Sequence, residues 1–371
     1  IHCVAKKSWL KNTRAAEIGF QNMNNKTRYI NGLFLAQKAT GVQVVSYEMC
    51  QSLHKLGWHV VCFMPDVNIE EGYNPDFEVV KLAGHKGHIW EQTTLRRHLK
   101  KIGSPLFINL FGLGVIGYKN QIVTVHDIAY SVNKEWFSFS YRTCYSMFLP
   151  ILTRQARLVL TVSEFSKKEI IKEFSIPSDK IFIFSPAPKS RPHTDTEAGI
   201  DGKYVIAVSS MDPRKNFKTL VEAYKKRPDD GVKLIVVGGA AKIYGETNIH
   251  NTEERIKFLG RVSDERLEAL YRNASLYVCT SLYEGFGIPA LEAMQYGCPV
   301  AVSDIEIFHE VLGDNAVYFN PTNTTDIAEK ISFALSKKYN ENGRNTLREH
   351  SKKYNMDFSA KKLSEKLKTL L

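Results

Sequence analysis

SLYEGFGIPALEAMQYGCPV, residues 281–300, joins one short apolar run, Leu276–Cys279, to another, Pro299–Val302. Runs this short and this uniformly apolar have the length of strands buried on both faces. Between them, Gly285-Phe286-Gly287 is too flexible for a helix interior, while Pro289 suits the first turn of a helix. The stretch therefore reads as strand, loop, helix Ile288–Tyr296 and strand, the crossover unit of a parallel sheet. Glu284 falls on the loop; Glu292, eight positions later, falls in the first helical turn or just beyond it. The backbone N–H groups of Gly285, Phe286, Gly287 and Ile288 converge at the helix N-terminus, a ready site for an anion. A lone Gly-x-Gly is an ordinary turn. Two glutamates flanking a Gly-Pro helix start directly after a strand form a binding pattern.

The same alternation extends in both directions. Toward the C-terminus come helix Ile305–Leu312 and Lys- and Asn-rich helices from about Thr325 to Leu371. Toward the N-terminus lie helix Asp264–Arg272, strands Ile256–Leu259 and Lys233–Val237, helix Phe217–Lys226 and strand Tyr204–Val208. Ser185–Lys203 (SPAPKSRPHTDTEAGIDGK) is proline-rich, polar and aperiodic, the composition of a linker. Before it stands a second alternation. Strand Tyr29–Leu35 is broken at Thr40-Gly41 and followed by helix Val42–Leu56. Strand-length runs follow at Trp58–Met64, Leu106–Phe111, Gln121–Val125 and Ala156–Val162, and Ser163 or Glu164 then opens a helix. A chain of 371 residues is too long for one ordinary core. The expected fold class is α/β, with two Rossmann-like doubly wound domains whose strand ends face a central cleft. Their expected spans are 28–190 and 191–355, with a final helix over 356–371 returning to the first domain. Residues 1–27 form an extension without an assigned role.

The net charge of +11 and a pI near 9.2 favour anionic partners: nucleotide phosphates, acidic membranes or nucleic acid. No zinc, aromatic-platform or helix-turn-helix pattern accompanies the charge, so nucleic acid is not an expected partner. No apolar run approaches the roughly 20 residues needed to cross a bilayer, and IHCVAKKSWLKN at the N-terminus lacks a signal-peptide core. A cytoplasmic location is expected. The six cysteines (Cys3, Cys50, Cys62, Cys144, Cys279, Cys298) form no C-x-x-C pair and read as reduced, mostly buried thiols. Lys86–Lys101 mixes Trp90, Leu95 and Leu99 with five Lys/Arg residues. It is a candidate for lying against an anionic membrane on its cytoplasmic face, the alternative being a solvated helix face with a buried stripe.

One carboxylate before the anion site and one behind it are placed to grip the hydroxyls of two sugars, a transferred sugar and a nucleotide ribose. At this point the sequence resembles a known family. Glu284 to Glu292 is similar to the E-x7-E signature of glycosyltransferase family 4, retaining enzymes of the GT-B fold, and the similarity runs from about Arg28 to the C-terminus. RYINGLFLAQKATGVQ resembles the family's opening strand and glycine turn, which gives Gly41 a place beside the donor phosphates. TVHDIAY resembles the motif whose histidine, here His126, faces the transferred sugar, with Asp127 in an orienting role. SSMDPRKNFKTLVEAY matches the segment that places Arg214 and Lys215 beside the diphosphate. FLGRVSDERLEALYRNASLYVCTS resembles the wall of the nucleobase pocket, near Val262. Two positions depart from the pattern: Ser209-Ser210 and Val44 stand where relatives carry basic residues.

The resemblance implies retaining transfer of a hexose from a nucleotide sugar, without a metal or other cofactor. Arg214, Lys215 and the helix amides would stabilise the departing diphosphate, which takes the acceptor's proton in a front-face reaction. The motif style is closest to bacterial mannosyltransferases of O-antigen, capsule or exopolysaccharide assembly. This points to GDP-mannose ahead of UDP- and dTDP-sugars, and to a glycan or lipid-linked saccharide acceptor. Two alternatives stand beside this expectation: a sugar-nucleotide epimerase of the same double-Rossmann architecture, and a catalytically impaired nucleotide-sugar-binding relative.

Overall fold

Short, apolar segments that alternate with amphipathic helices cannot satisfy their backbone groups except by pairing in parallel, with helices on both faces. A computed structural model of the chain shows this arrangement twice, and it describes residues 27–189, 191, 195–210, 212–238 and 255–370. The first sheet contains β1 (Thr27–Asn31), β2 (His59–Pro65), β3 (Glu78–Leu82), β4 (Phe107–Asn109), β5 (Gln121–Thr124), β6 (Leu158–Thr161) and β7 (Ile181–Ile183). Its order is β3-β2-β1-β4-β5-β6-β7, with every pairing parallel. The second contains β8 (Tyr204–Val208), β9 (Lys233–Val237), β10 (Ile256–Gly260), β11 (Leu276–Cys279), β12 (Val300–Ser303) and β13 (Val317–Phe319). It is likewise parallel, in the order β10-β9-β8-β11-β12-β13.

Each sheet reverses its strand order once, between β1 and β4 in the first and between β8 and β11 in the second. In open parallel sheets the crevice for ligands lies at the C-terminal ends of the strands flanking such a reversal. Asn31 and Asn109 end the two strands at the first reversal; Val208 and Cys279 end those at the second.

Several elements depart from the sequence reading. The strand expected over Tyr29–Leu35 stops at Asn31, and Leu33–Ala36 is a 3-10 turn. The cause is Gly32, whose amide donates to the Phe63 carbonyl at 2.7 Å and whose hydrogen faces that oxygen so closely that a Cβ would lie 2.9 Å from it. The reading also omits β3, β7, β13 and a 17-residue helix, Phe139–Gln155. In the segment 86–101, Trp90, Leu95 and Leu99 are buried against Phe63 and Phe107, and the Trp90 Nε1 donates to the Leu82 carbonyl at 3.1 Å. The apolar half of that segment belongs to the core, leaving Arg97, Lys100 and Lys101 exposed. Among the described residues no helix is long and apolar enough to cross a membrane. Cys50, Cys62, Cys144, Cys279 and Cys298 are free thiols. Cys3 and residues 1–26 lie outside the described residues.

The two halves touch at several points. The last helix, Met356–Lys368, buries Ala360, Leu363 and Leu367 in the cluster that holds Val45, Met49 and Leu53 of the first half. Hydrogen bonds fix it there, Ser52 Oγ to Asp357 at 2.6 Å and Trp58 Nε1 to Ser364 Oγ at 2.7 Å. Glu310, in the second half, accepts from the backbone N–H groups of Glu164 and Phe165 at 2.8 Å each, at the start of helix Glu164–Phe174 in the first half.

Candidate active site

The loop that leaves β8 carries Asp212-Pro213-Arg214-Lys215, and proline at the first position of this 3-10 turn presets its backbone. Asp212 caps the turn by accepting from the Arg214 amide at 2.9 Å. Thr280, directly after β11, donates to the Lys215 and Asn216 carbonyls at 3.2 Å, which ties the two loops at the reversal together. As a result Lys215 Nζ meets Glu284 Oε1 at 2.5 Å, and Ser281 Oγ donates to the same oxygen at 2.7 Å. Burial opposes the charge on Glu284, yet Lys215 and Arg214 outweigh it and hold the carboxyl below its ordinary pKa. Arg214 reaches across to Asp127, Nη1 to Oδ2 at 3.5 Å.

Gly285 presses against the opposite half. A Cβ there would lie 3.0 Å from the His126 carbonyl and from the Asp127 Cβ, and Ser163 Oγ donates to the Gly285 carbonyl at 2.9 Å. His126 Nε2 lies 3.1 Å from the Leu110 carbonyl. A carbonyl only accepts, so Nε2 carries the proton and Nδ1 is left with its lone pair. Burial keeps the His126 pKa below its ordinary value. Gly287 caps helix Ile288–Gln295 at φ +94°, and a Cβ there would strike the Phe308 ring at 2.5 Å. The Phe286 side chain packs edge-on against Tyr354 in the core, so only its backbone is available to a ligand.

A cavity of about 920 Å³ opens between the halves. Gly41, the first residue of helix Gly41–Lys55, lines it together with Val262, Ile288 and Glu292. Val44 and Ser209-Ser210 line it too. His126, Arg214, Lys215, Glu284 and Gly285 form a second cluster and are not part of that lining. The structure thus divides the residues singled out by sequence into two groups, joined by the loop and helix from Glu284 to Glu292.

Sequence reasoning missed the partners of Glu292. Arg191, from the stretch read as a linker, places Nη1 2.9 Å from Glu292 Oε1 and Nε 2.9 Å from Asp264 Oδ1. Lys189 adds a 2.6 Å contact to the other Asp264 oxygen, and Tyr271 donates to Glu292 Oε2 at 3.2 Å. The Arg191 side chain is 6% exposed. Burial disfavours its charge, but Glu292 and Asp264 raise its pKa above the ordinary arginine value. The signal was two cations, Lys189 and Arg191, close together in a proline-rich stretch whose other charges are three acidic residues and Lys203; Arg191 brings positive charge to the same cavity wall where Ser209-Ser210 bring none. Among the described residues no three His, Cys, Asp or Glu side chains are grouped to hold a metal.

Two parallel sheets with facing reversals, a shared cavity and a Glu284–Glu292 loop define a glycosyltransferase of the GT-B fold. The comparisons agree. The glycosyltransferase family 4 model matches residues 39–187 and the glycosyl transferases group 1 model residues 192–354, so the chain is a family 4-like glycosyltransferase in both halves. It is 35% identical over 208 residues to the O-antigen chain mannosyltransferase RfbU of Salmonella typhimurium, covering 55% of this chain and 57% of that one. It is 32% identical over 234 residues to O-antigen chain mannosyltransferase B of Escherichia coli, covering 58% of this chain and 61% of that one. The chain thus spans about three fifths of the length of either relative. Among solved structures, Anabaena HepE in complex with UDP and glucose shares the fold, with a TM-score of 0.68 at 16% identity over 92% of this chain and 99% of that one.

Proposed function

We propose that the chain is a retaining hexosyltransferase that moves mannose from GDP-mannose to a glycan or lipid-linked saccharide in bacterial surface-polysaccharide assembly. The observation that carries the reading is the pairing of Lys215 and Arg214 with Glu284 on the loop that leads to Glu292 in the cavity wall. In this reading the nucleotide lies in the cavity, its ribose hydroxyls on Glu292 and its base beside Val262. The diphosphate lies between Arg214, Lys215 and the amides at Gly41 and Ile288. Both glutamates hold cations, Lys215 on Glu284 and Arg191 on Glu292. Donor binding exchanges those partners for sugar hydroxyls and phosphates, with little net charge left unpaired.

As the bond from C1 to the diphosphate breaks, negative charge grows on the departing oxygen, and fixed cations lower the energy of that state more than of the ground state. The leaving oxygen takes the proton of the acceptor hydroxyl, and the acceptor oxygen bonds to C1 on the same face. The His126 ring and carbonyl stand beside Gly285 to orient the sugar and to face the positive charge that develops on it. No metal is assigned a role in these steps. The mannosyl assignment rests on the two relatives named above, whose names specify mannose. An epimerase would need no acceptor, and nothing in the site favours one. Contact with an anionic membrane is proposed through Arg97, Lys100 and Lys101 on the outer face of the first half.

A thermal-shift series with GDP, UDP, dTDP and their sugars tests the reading, because a ligand that binds only the folded chain raises Tm. GDP is expected to give the largest shift, and Glu292→Ala to abolish it. A series with no shift at millimolar nucleotide would rule the proposal out.

A further inference from the structure

The reversal between β8 and β11 is accounted for by the donor, whereas the matching reversal between β1 and β4 holds a cluster that the reaction as described does not use. Asn31 Nδ2 at the end of β1 lies 2.6 Å from Asn109 Oδ1 at the end of β4 and 2.6 Å from Glu91 Oε1. Glu91 is fully buried, and its Oε2 holds His88 Nδ1 at 2.5 Å. Burying a carboxylate is costly unless it is paired and hydrogen-bonded. A glutamine at 91 would satisfy Asn31 without that cost. What the carboxylate adds is a fixed, charge-assisted hold on the His88 ring, and this hydrogen bond raises the His88 pKa.

The ring itself is open. The His88 side chain is 46% exposed, and its Nε2 meets no hydrogen-bond partner among the described residues. A histidine serving only to close a buried network would be covered. Two further features mark the place. Glu91 begins a π-helical turn, Glu91–Leu95, inside the helix over 87–101, and such turns concentrate at functional sites. Gly112, two residues after the Leu110 carbonyl that holds His126, passes so close that a Cβ would lie 3.0 Å from Glu91 Oε1. The pair therefore sits beside the strand end that supports His126, on the face of the cleft opposite the donor cations. Tyr145 lies edge-on to His88 with ring centroids 6.5 Å apart, and Tyr141 stacks on Tyr145 at 4.1 Å. Aromatic faces with one placed polar group suit a sugar ring, which is apolar on its C–H faces and polar at its rim.

We propose that His88, held by Glu91, positions the acceptor, its Nε2 hydrogen-bonding a hydroxyl of the saccharide that receives the transferred sugar. The inference rests on the reading of the chain as a glycosyltransferase. His88 orients the hydroxyl; the leaving diphosphate still takes its proton.

The test uses the whole chain labelled with ¹⁵N-histidine and titrated with octyl glycosides of mannose, galactose, rhamnose and N-acetylglucosamine. Each titration is run with and without the nucleoside diphosphate that raises Tm. At least one glycoside is expected to move the His88 Nε2 resonance. For that glycoside, Kd read from the remaining histidine resonances should rise about tenfold or more in His88→Ala, the loss expected for a hydrogen bond to a charged group. Kd for the nucleotide should stay within about twofold, as for a ligand held by other contacts. Glu91→Gln preserves the buried hydrogen bond to Asn31 and reports on the pair if His88→Ala does not fold; it should weaken the glycoside in the same way, and His88→Gln should restore part of the binding. A His88 resonance that moves with no glycoside, or a glycoside Kd unchanged in both His88→Ala and Glu91→Gln, overturns the proposal. A wild-type chain that binds no nucleotide overturns the glycosyltransferase reading itself, and the inference with it.

Discussion

The two sheet reversals face each other with the same topology and opposite chemistry. At the β8–β11 reversal the side chains are ionic: Lys215 on Glu284, Arg214 near Asp127, and Arg191 between Glu292 and Asp264. At the β1–β4 reversal they are mainly amides and imidazoles, with a single buried carboxylate, Glu91, shared between Asn31 and His88. An ionic wall suits a ligand of fixed charge, such as a diphosphate, because charge-assisted contacts are strong wherever the anion settles. A hydrogen-bonded wall suits a neutral, polyhydroxylated ligand, for which direction matters more than charge. Topology places both walls at strand ends, and residue type decides what each one binds.

That contrast can be broken by kinetics. In the proposed reaction Lys215→Ala takes a cation away from the leaving group and is expected to lower kcat about 10²–10³-fold, whereas His126→Ala, which would remove an orienting contact, should lower it about tenfold. Steady-state assays of the two variants check this; equal losses would mean that the two walls do not divide the work. The next effect is on stability. Arg191→Ala leaves Glu292 and Asp264 close together on one cavity wall without the cation they share and should destabilise the chain by about 2 kcal/mol, read from urea unfolding. An unchanged midpoint would show the Arg191 pairs to be solvent-screened and the ionic wall weaker than drawn. The smallest effect per residue concerns the outer surface. Changing Arg97, Lys100 and Lys101 together to Ala should reduce binding to anionic vesicles by a few kcal/mol at most, at about 1 kcal/mol per basic residue. Sedimentation with phosphatidylserine vesicles measures it, and undiminished binding would remove this face from any membrane contact.

Much of this architecture was open to reading because β5, β6, β8 and β9 are nearly continuous apolar runs, as strands covered on both faces must be. β7 (IFI) and β13 (VYF) are three residues long and fall below any periodic signal. The helix Phe139–Gln155 contains Pro150 and exposes Phe139 and Met147, which blurs the polar face that would announce it. At the site, Glu284 and Glu292 declare themselves by their spacing around a Gly-Pro helix start. Arg191 does not, because it meets Glu292 across 101 positions and nothing local to either residue encodes the pairing. The basic segment at 86–101 was open to two readings for a related reason. Its leucines and tryptophan have the spacing of a membrane-facing stripe, but a stripe that covers a sheet has the same spacing, and only the position of β2 and β4 separates the two.

The helix Met356–Lys368 carries one further consequence. The chain crosses between the halves once from Ile183 to Tyr204, and again after helix Glu341–Lys352, which packs on Ile288–Gln295, when Met356–Lys368 docks beside Gly41–Lys55. A single tether would leave the halves free to twist and slide. Two tethers, the second clamped by Ser52 and Trp58, restrict both motions, and the contacts of Glu310 and Gly285 between the halves restrict them further. The registration of the two walls is thereby written into one continuous chain rather than left to the meeting of two separate bodies.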